Sequence, residues 1–423
     1  MPQVIVVGGG WAGCAAAAGA ARNGAEVILL ERSDVLLGSG LGGGLVQNNG
    51  RYTAMQELKV MGAGDLIEAM ESVFTHRSVD FPSHKHAALY DVTRIERAVR
   101  RSLMRLGVQI RTGTRVKEVR AAGGHLEAVI SEDREVFGGD AFADCTGTAG
   151  PQGNCTKYGQ GCSLCVYGCP TYGARVSIAG RMGISEICAR RADGGYGVMT
   201  GSCLLVPESM GEERLAELRG NGVLLVPIPT ELQHQDLLAL KACQQYASPE
   251  FAANLVLLDT GLPKMMAPFF PLGYFRKLPG FEDVVYHHPF AGTRGNSIRY
   301  LAMAPHDDTL LVDGTDNLFC AGEKSGLLNG HIEAVATGAL AGFNAVRRAL
   351  GKTGLVLTRE TAVGESVAFV REAMDGPGGL QKTYTFSGGP LFGRMKDRGL
   401  YSTDFDAIEQ RVREAGAEGI LAN

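Results

Sequence analysis

The stretch "QVIVVGGGWAGCAAAAGAARNGAEVILLERSD" leaves the N-terminal part of the chain little choice of fold. Val4 to Val7 form a short β-branched run that suits a central parallel strand, buried on both faces. Gly8, Gly10 and Gly13 follow as G-x-G-x-x-G, with Trp11 and Ala12 between the last two. The first glycine turns the chain, the second lets backbone approach a pyrophosphate, and the third lets a helix pack closely on the strand. An Ala-rich helix then runs to Asn23-Gly24, a common helix-ending pair. A second strand, Val27 to Leu30, ends in Glu31 and Arg32. A carboxylate about 20 residues past the glycines is placed to accept a hydrogen bond from a ribose hydroxyl. Strand, glycine turn, helix, strand and acidic end agree on a Rossmann-like dinucleotide site, with NAD and FAD both open.

Later segments select FAD. "DAFADCTGTAG" places a strand before Thr146-Gly147, similar to the strand and turn that return to the cofactor in two-domain flavoproteins. "RVKEVR", around Val116, resembles the flavoprotein segment whose backbone meets the adenine. Far downstream, "TDNLFCAGEKSGLLNGHIEAVATGALAGFNAVRRAL" reads as a strand ending at Ala321-Gly322 with Glu323 next. After Gly330 a helix opens on His331 and Ile332, and Ile332, Val335, Ala339 and Leu340 fall roughly on one face. A helix N-terminus aimed at a flavin stabilises the negative charge of its reduced ring.

These two FAD segments resemble the GidA family of FAD proteins and, within it, the folate-dependent tRNA uridine methyltransferases. The likeness is carried by the N-terminal glycine segment and by an "AG-x-x-x-G-x-x-G-x-x-E" stretch. Here that stretch runs from Ala321-Gly322 through Gly326 and Gly330 to Glu333, with one extra residue between the last two glycines. "LTRETAVGESVAF", with Thr358 and Ala362-Val363-Gly364, is similar to a passage that follows it in the same branch. The resemblance implies a glutathione-reductase-like α/β fold with an inserted α+β domain. FAD is expected on residues 8–13, Glu31 and Arg32, Gly43 and Gly44, and again near 322–333. Residues 1–150 and 291–350 are read as a discontinuous FAD-binding domain, 151–290 as the insert, and 351–423 as a helical extension packed on the FAD domain. In the family, the loop after the second strand bears a cysteine that serves the chemistry on uridine or lies next to it. The aligned position here is Gln47, and no cysteine occurs between Cys14 and Cys145. Glutamine supplies no thiolate.

The family has no counterpart to "NCTKYGQGCSLCVYGCP", which carries Cys155, Cys162, Cys165 and Cys169. The last three reproduce the end of a bacterial ferredoxin run, including the proline after the final cysteine. Interleaved glycines relieve the crowding of backbone around a cluster. A 4Fe–4S cluster is the leading expectation. Zinc, a redox dithiol at Cys162 and Cys165, and plain buried cysteines are the alternatives. A flavin beside such a cluster would move electrons between a one-electron, ferredoxin-like carrier and a two-electron small-molecule substrate.

Composition narrows the classes further. Lys plus Arg number 41 against 45 Asp plus Glu, a net charge of -4, so no global field invites nucleic acid and RNA is the less favoured partner. No apolar run approaches the ~18 residues of a membrane span, and the N-terminus lacks the basic start of a secretion signal. A cytoplasmic enzyme is expected. "TRIERAVRRSLMRL" predicts a helix opened by a Thr93–Glu96 capping box, with its arginines on a solvated face. A second helix is predicted around 234–247, and Met265 to Phe275 form an apolar loop read as core packing. The expectation is an FAD-dependent oxidoreductase carrying a cysteine-bound cluster. Folate- and FAD-dependent methylation of RNA uridine is the alternative, and an FAD-containing binding module with structural zinc is a third reading.

Overall fold

A computed structural model of the chain describes residues 1–147, 176–191, 193–195, 198–199, 203–233, 244–266, 270–287, 298–299 and 301–422. The chain opens with β1 (Gln3–Val7), α1 (Trp11–Arg22) and β2 (Glu26–Leu30). Then come β3 (Leu45–Val46), α2 (Gly50–Val60), α3 (Asp65–Glu71), β4 (Phe74–Phe81) and β5 (His84–Tyr90). They are followed by α4 (Ile95–Arg105), β6 (Gln109–Arg111), the meander β7 (Val116–Ala122), β8 (His125–Ser131) and β9 (Val136–Gly138), and β10 (Ala141–Asp144).

One five-stranded sheet organises the fold, in the order Leu318–Cys320, β10, β1, β2, β6. All of its pairings are parallel: Val4 stands between Ala141 and Val27, and Asp144 lies beside Cys320. The strand after residue 317 thus joins the sheet beside strands from the first third of the chain. Valine and isoleucine at 4, 5 and 6 are fully buried, as a strand covered on both faces requires.

The helix His331–Ala349 packs along α1. Their approach is set by small residues. A Cβ at Gly338 would lie 2.2 Å from Ala12 O, and one at Gly342 would lie 2.1 Å from Ala16 O. The backbones touch, which only glycine on one side and alanine on the other permit.

A second sheet is antiparallel, in the order Cys203–Leu204, Leu262–Met265, Asn254–Thr260, Val223–Pro227. The small β3–β5–β4 sheet shares a core with it, where Leu45, Phe81 and Leu89 meet Tyr246, Phe251, Leu258 and Met266. Part of the segment expected in the FAD-binding domain therefore packs on the second sheet. The C-terminal helices Ala362–Asp375 and Phe405–Glu414 lie against α2. Buried Glu57 of α2 accepts hydrogen bonds from Ala362 N and Val363 N, both at 2.9 Å, and from Arg411.

Two local expectations change. The Thr93–Glu96 capping box does not form: Thr93 Oγ1 donates to Asp91 at 2.6 Å, and the helix starts at Ile95 after Arg94 with no side-chain cap. Glu96 turns instead to Leu36 N and Arg100. Of the helix predicted around 234–247, residues 234–243 lie outside the described residues, and Gln244–Tyr246 is a single 3₁₀ turn. Where it is described, the apolar loop is core at Met265, Met266, Phe270 and Phe275, which are buried, whereas Tyr274 is exposed.

Two outcomes follow. Gly338→Ala forces a methyl group onto Ala12 O and costs about 1–3 kcal/mol, read as a lower denaturation midpoint. The second concerns Glu365, whose side chain is fully buried and bound by Arg359, Arg394 and Arg398. Burial works to raise its carboxyl, but the three guanidiniums outweigh it and hold it below its ordinary 4.5. The stability it contributes is complete above the unfolded value and is lost as pH falls through the lower, folded one. Glu365→Gln is therefore less stable than the parent at pH 7, by about 3 kcal/mol, and the gap narrows below pH 4.5 in acid-denaturation curves.

Candidate functional site

The glycine turn after β1 is built by close backbone contacts. Gly8 has φ +100°, and a Cβ there would meet Cys145 O at 2.4 Å. A Cβ at Gly13 would lie 1.7 Å from Gly8 O, so the third glycine is what lets α1 start directly behind the turn. A Cβ at Gly10 would meet nothing, because this residue faces open space. Glu31, at the end of β2, accepts from Gly9 N at 2.7 Å and from Ser33 N at 2.8 Å.

That open space is a cavity of about 570 Å³. Gly8, Gly10, Trp11 and Ala12 wall it from the first turn, and Glu31 and Arg32 from the end of β2. Val116 comes from β7, Thr146 and Gly147 follow β10, and Gly322, Glu323, Gly330 and His331 come from the late segment. The fold thus brings to one wall residues from five separate stretches of sequence. Four expected residues stand off it. Gly13 is packed into the turn, and Ile332 is fully buried in the core. A Cβ at Gly43 would collide with the His331 ring, and one at Gly44 with Thr260. The loop glycines that do reach the cavity are Gly38 and Gly40, with Leu37 and Leu41. Thr114, Arg115 and Asn329 also line it without having been singled out; their only sequence signal is adjacency to Val116 and Gly330.

The wall suits a dinucleotide. Two helix N-termini, those of α1 and of His331–Ala349, open on the cavity with their partial positive charge and unpaired N–H groups. Arg32 Nη1 is buried without a hydrogen-bond partner among the described residues. A buried guanidinium donor left unpaired is costly, and a phosphate or ribose oxygen would satisfy it. FAD would be held here by the α1 turn, Glu31, Arg32 and the second helix start.

At one side of the cavity Trp11, Tyr90 and His331 form an aromatic group, with ring centroids 5.8–6.2 Å apart. Tyr90 OH donates to Gly40 O at 3.0 Å, and burial pushes its phenol well up. The glycine loop closes over these rings. Lys264, from the strand Leu262–Met265 and 7% exposed, holds the loop from the other side. Its ammonium donates to Gly42 O at 2.8 Å and to Gly43 O. One residue of the second sheet thereby fixes a loop of the first.

Beneath the late segment, Glu333 does not reach the cavity. It is buried and takes Arg51 Nε at 3.1 Å, Thr385 Oγ1 at 2.6 Å and Phe386 N at 2.8 Å. The glutamate of the family-like stretch is thus a fastener between α2, the late helix and the C-terminal segment. Asp144 closes β10 by accepting from Thr146 Oγ1 and from Ile178 N and Ala179 N. The buried Lys324 ammonium lies nearby, paired with Glu186.

Cys155, Cys162, Cys165 and Cys169 lie outside the described residues. Among the described residues no group of histidine, cysteine or carboxylate side chains forms a metal site. Gly147 and Val176, which bound the cysteine-bearing segment, both line the cavity. Cys14, Cys145 and Cys320 are buried thiols, each pushed up first by burial. Gln47 sits between β3 and α2 at φ +61° and is 7% exposed. Among the described residues no helix is long and apolar enough to cross a membrane.

The Lys264 contact is testable through FAD itself. Lys264→Met loosens the glycine loop and weakens FAD binding on the order of tenfold or more, the worth of a hydrogen bond from a charged group. Lys264→Arg restores most of it, as read by flavin fluorescence during titration of the apoprotein.

Comparison with known proteins finds similar segments on both sides of this site. The family model "FAD dependent oxidoreductase" matches residues 3–150, and "Glucose inhibited division protein A" matches residues 258–353. A methylenetetrahydrofolate–tRNA-(uracil-5-)-methyltransferase, TrmFO, of Symbiobacterium thermophilum is 43% identical over 100 residues, 23% of this chain and 22% of that protein. A tRNA uridine 5-carboxymethylaminomethyl modification enzyme, MnmG, of Chlorobaculum tepidum is 31% identical over 119 residues, 28% of this chain and 18% of that one. The chain therefore matches about a fifth of the length of these relatives. In structure, Aquifex aeolicus GidA superposes with a TM-score of 0.71 at 18% identity, over 99% of this chain and 74% of that one. The two family models fall on the two segments that wall the cavity, and the fold is GidA-like, so the chain resembles the GidA family of FAD proteins in both.

Proposed function

We propose that this protein modifies uridine in RNA, using FAD and a one-carbon unit supplied by reduced folate. The observation that carries the reading is the match of residues 258–353 to the GidA model, because that stretch contains both Lys264 and the second wall of the cavity. The curated relatives named above are tRNA uridine enzymes, and this supports RNA as the substrate. It favours the RNA reading over the electron-transfer reading expected from the cysteine run.

Bound FAD supplies two-electron redox chemistry. The chain's own residues prepare the site for it. The two helix N-termini draw phosphate and ring negative charge to fixed places. Glu31 offers a ribose acceptor, and Trp11, Tyr90 and His331 with the glycine loop exclude water from one side. A thiolate nucleophile is not provided at residue 47. The cavity-lining thiol, Cys145, is held protonated by burial and by the adjacent Asp144 carboxylate. Activation of uracil in this protein therefore rests on a group other than these two.

The test uses an unmodified tRNA transcript, methylene-labelled tetrahydrofolate and purified protein under reducing conditions. Label is expected in uridine, and its absence with FAD-loaded protein overturns the reading. A second reading is favoured by the C-x2-C-x3-C-P run that follows Gly147. Iron and acid-labile sulfide near four per FAD in anaerobically purified protein would support a cluster working with the flavin, and their lack removes it.

A further inference from the structure

The outer face of α4 belongs to none of the machinery above. Arg94, Arg97, Arg101 and Arg105 recur every three or four residues and are all exposed. Residues at that spacing lie on one side of a helix. Among the described residues none of the four guanidiniums has a carboxylate partner, whereas Arg100, on the helix flank, is taken by Glu96 at 2.6 Å. The acids of neighbouring α3 are largely engaged elsewhere, Asp65 by Arg22 and Glu71 by Lys59. In a chain of net charge -4, this is a local stripe of four uncompensated positive charges.

Its place matters as much as its charge. Glu96 accepts from Leu36 N at 3.2 Å, and the loop it holds contributes Asp34 and Val35 to the cavity wall. The helix thus flanks the rim of the cavity and is tied to it. The stripe extends about 16 Å along the axis at 1.5 Å per residue. Phosphates of a nucleic-acid strand recur about every 3.4 Å along the helix axis, so a strand of several phosphates matches this length. Arginine, rather than lysine, is the residue whose planar fork meets two phosphate oxygens at once.

We infer that the α4 face is a docking surface for the phosphate backbone of the RNA substrate, positioning it beside the cavity rim. This rests on the RNA reading proposed above. It assigns no base recognition to the helix, since phosphate contacts set register and not sequence.

The experiment measures binding of an unmodified tRNA transcript to FAD-loaded protein across a potassium chloride series. One variant carries Arg94, Arg97, Arg101 and Arg105 all changed to Gln. A control carries the same charge change at Arg120, Arg219, Lys352 and Lys382, which are exposed and distant in sequence. The slope of log affinity against log salt should fall by about 3 in the α4 variant, at about 0.7–0.9 per lost phosphate contact. The control should move far less, and changing the four arginines to Lys should keep most of the slope. FAD content and denaturation midpoint confirm that each variant is folded. If the parent binds the transcript and the α4 variant binds it with the same affinity and slope, the surface assignment is overturned while the RNA reading stands. If the parent does not bind the transcript even at low salt, the RNA reading falls and the assignment with it. Loss of binding to phosphatidylserine vesicles in place of RNA would also overturn it, by assigning the stripe to a membrane surface.

Discussion

The contact between α1 and the helix His331–Ala349 is the constraint on which the rest depends. Glycines 338 and 342 let one helix backbone rest on the carbonyls of Ala12 and Ala16 in the other. This brings the start of the second helix beside the glycine turn of the first, so that both N-termini face one cavity. Two positive helix ends from opposite parts of the chain then act on one ligand, which neither segment could hold alone. A larger residue at either glycine would separate the helices and open the site.

Buried charges fasten the remaining parts to this frame. Arg51 and Glu333 join α2 to the late helix, with Thr385 and Phe386 N completing the carboxylate's partners. Glu57 receives the first turn of the helix Ala362–Asp375. Lys264 ties the second sheet to the glycine loop of the first. Such contacts add little stability over apolar packing, yet each is costly to break from one side. They therefore specify how the segments meet. The position of Lys264 gives the second sheet a direct mechanical link to the glycine loop beside the cavity wall.

Much of the cavity wall was legible because its residues obey local rules. Gly8, Gly10 and Glu31 follow from strand, turn and helix geometry within one short segment. The expected positions that distant neighbours keep off the wall could not be read in this way. Gly43 and Gly44 belong to the expected loop, but His331 and Thr260 occupy the space beside them, and the cavity falls to Gly38 and Gly40 instead. Glu333 carries the family-like pattern, yet Arg51, hundreds of residues away, draws it out of the site. The Thr93–Glu96 box fails because nearer partners win as well: Asp91 takes the Thr93 hydroxyl, Arg100 takes Glu96, and only Leu36 N comes from far along the chain.

By itself the sequence determined the glycine turn, the parallel strands beside it and the two segments that wall the cavity, because each is encoded by short-range periodicity and glycine placement. Only the tertiary structure decided which residues share the cavity wall, that a lysine of the second sheet grips the glycine loop, and that four α4 arginines stand beside the rim without a carboxylate partner among the described residues. These features depend on close approach between parts of the chain far apart in sequence, and no local pattern records which surfaces will meet.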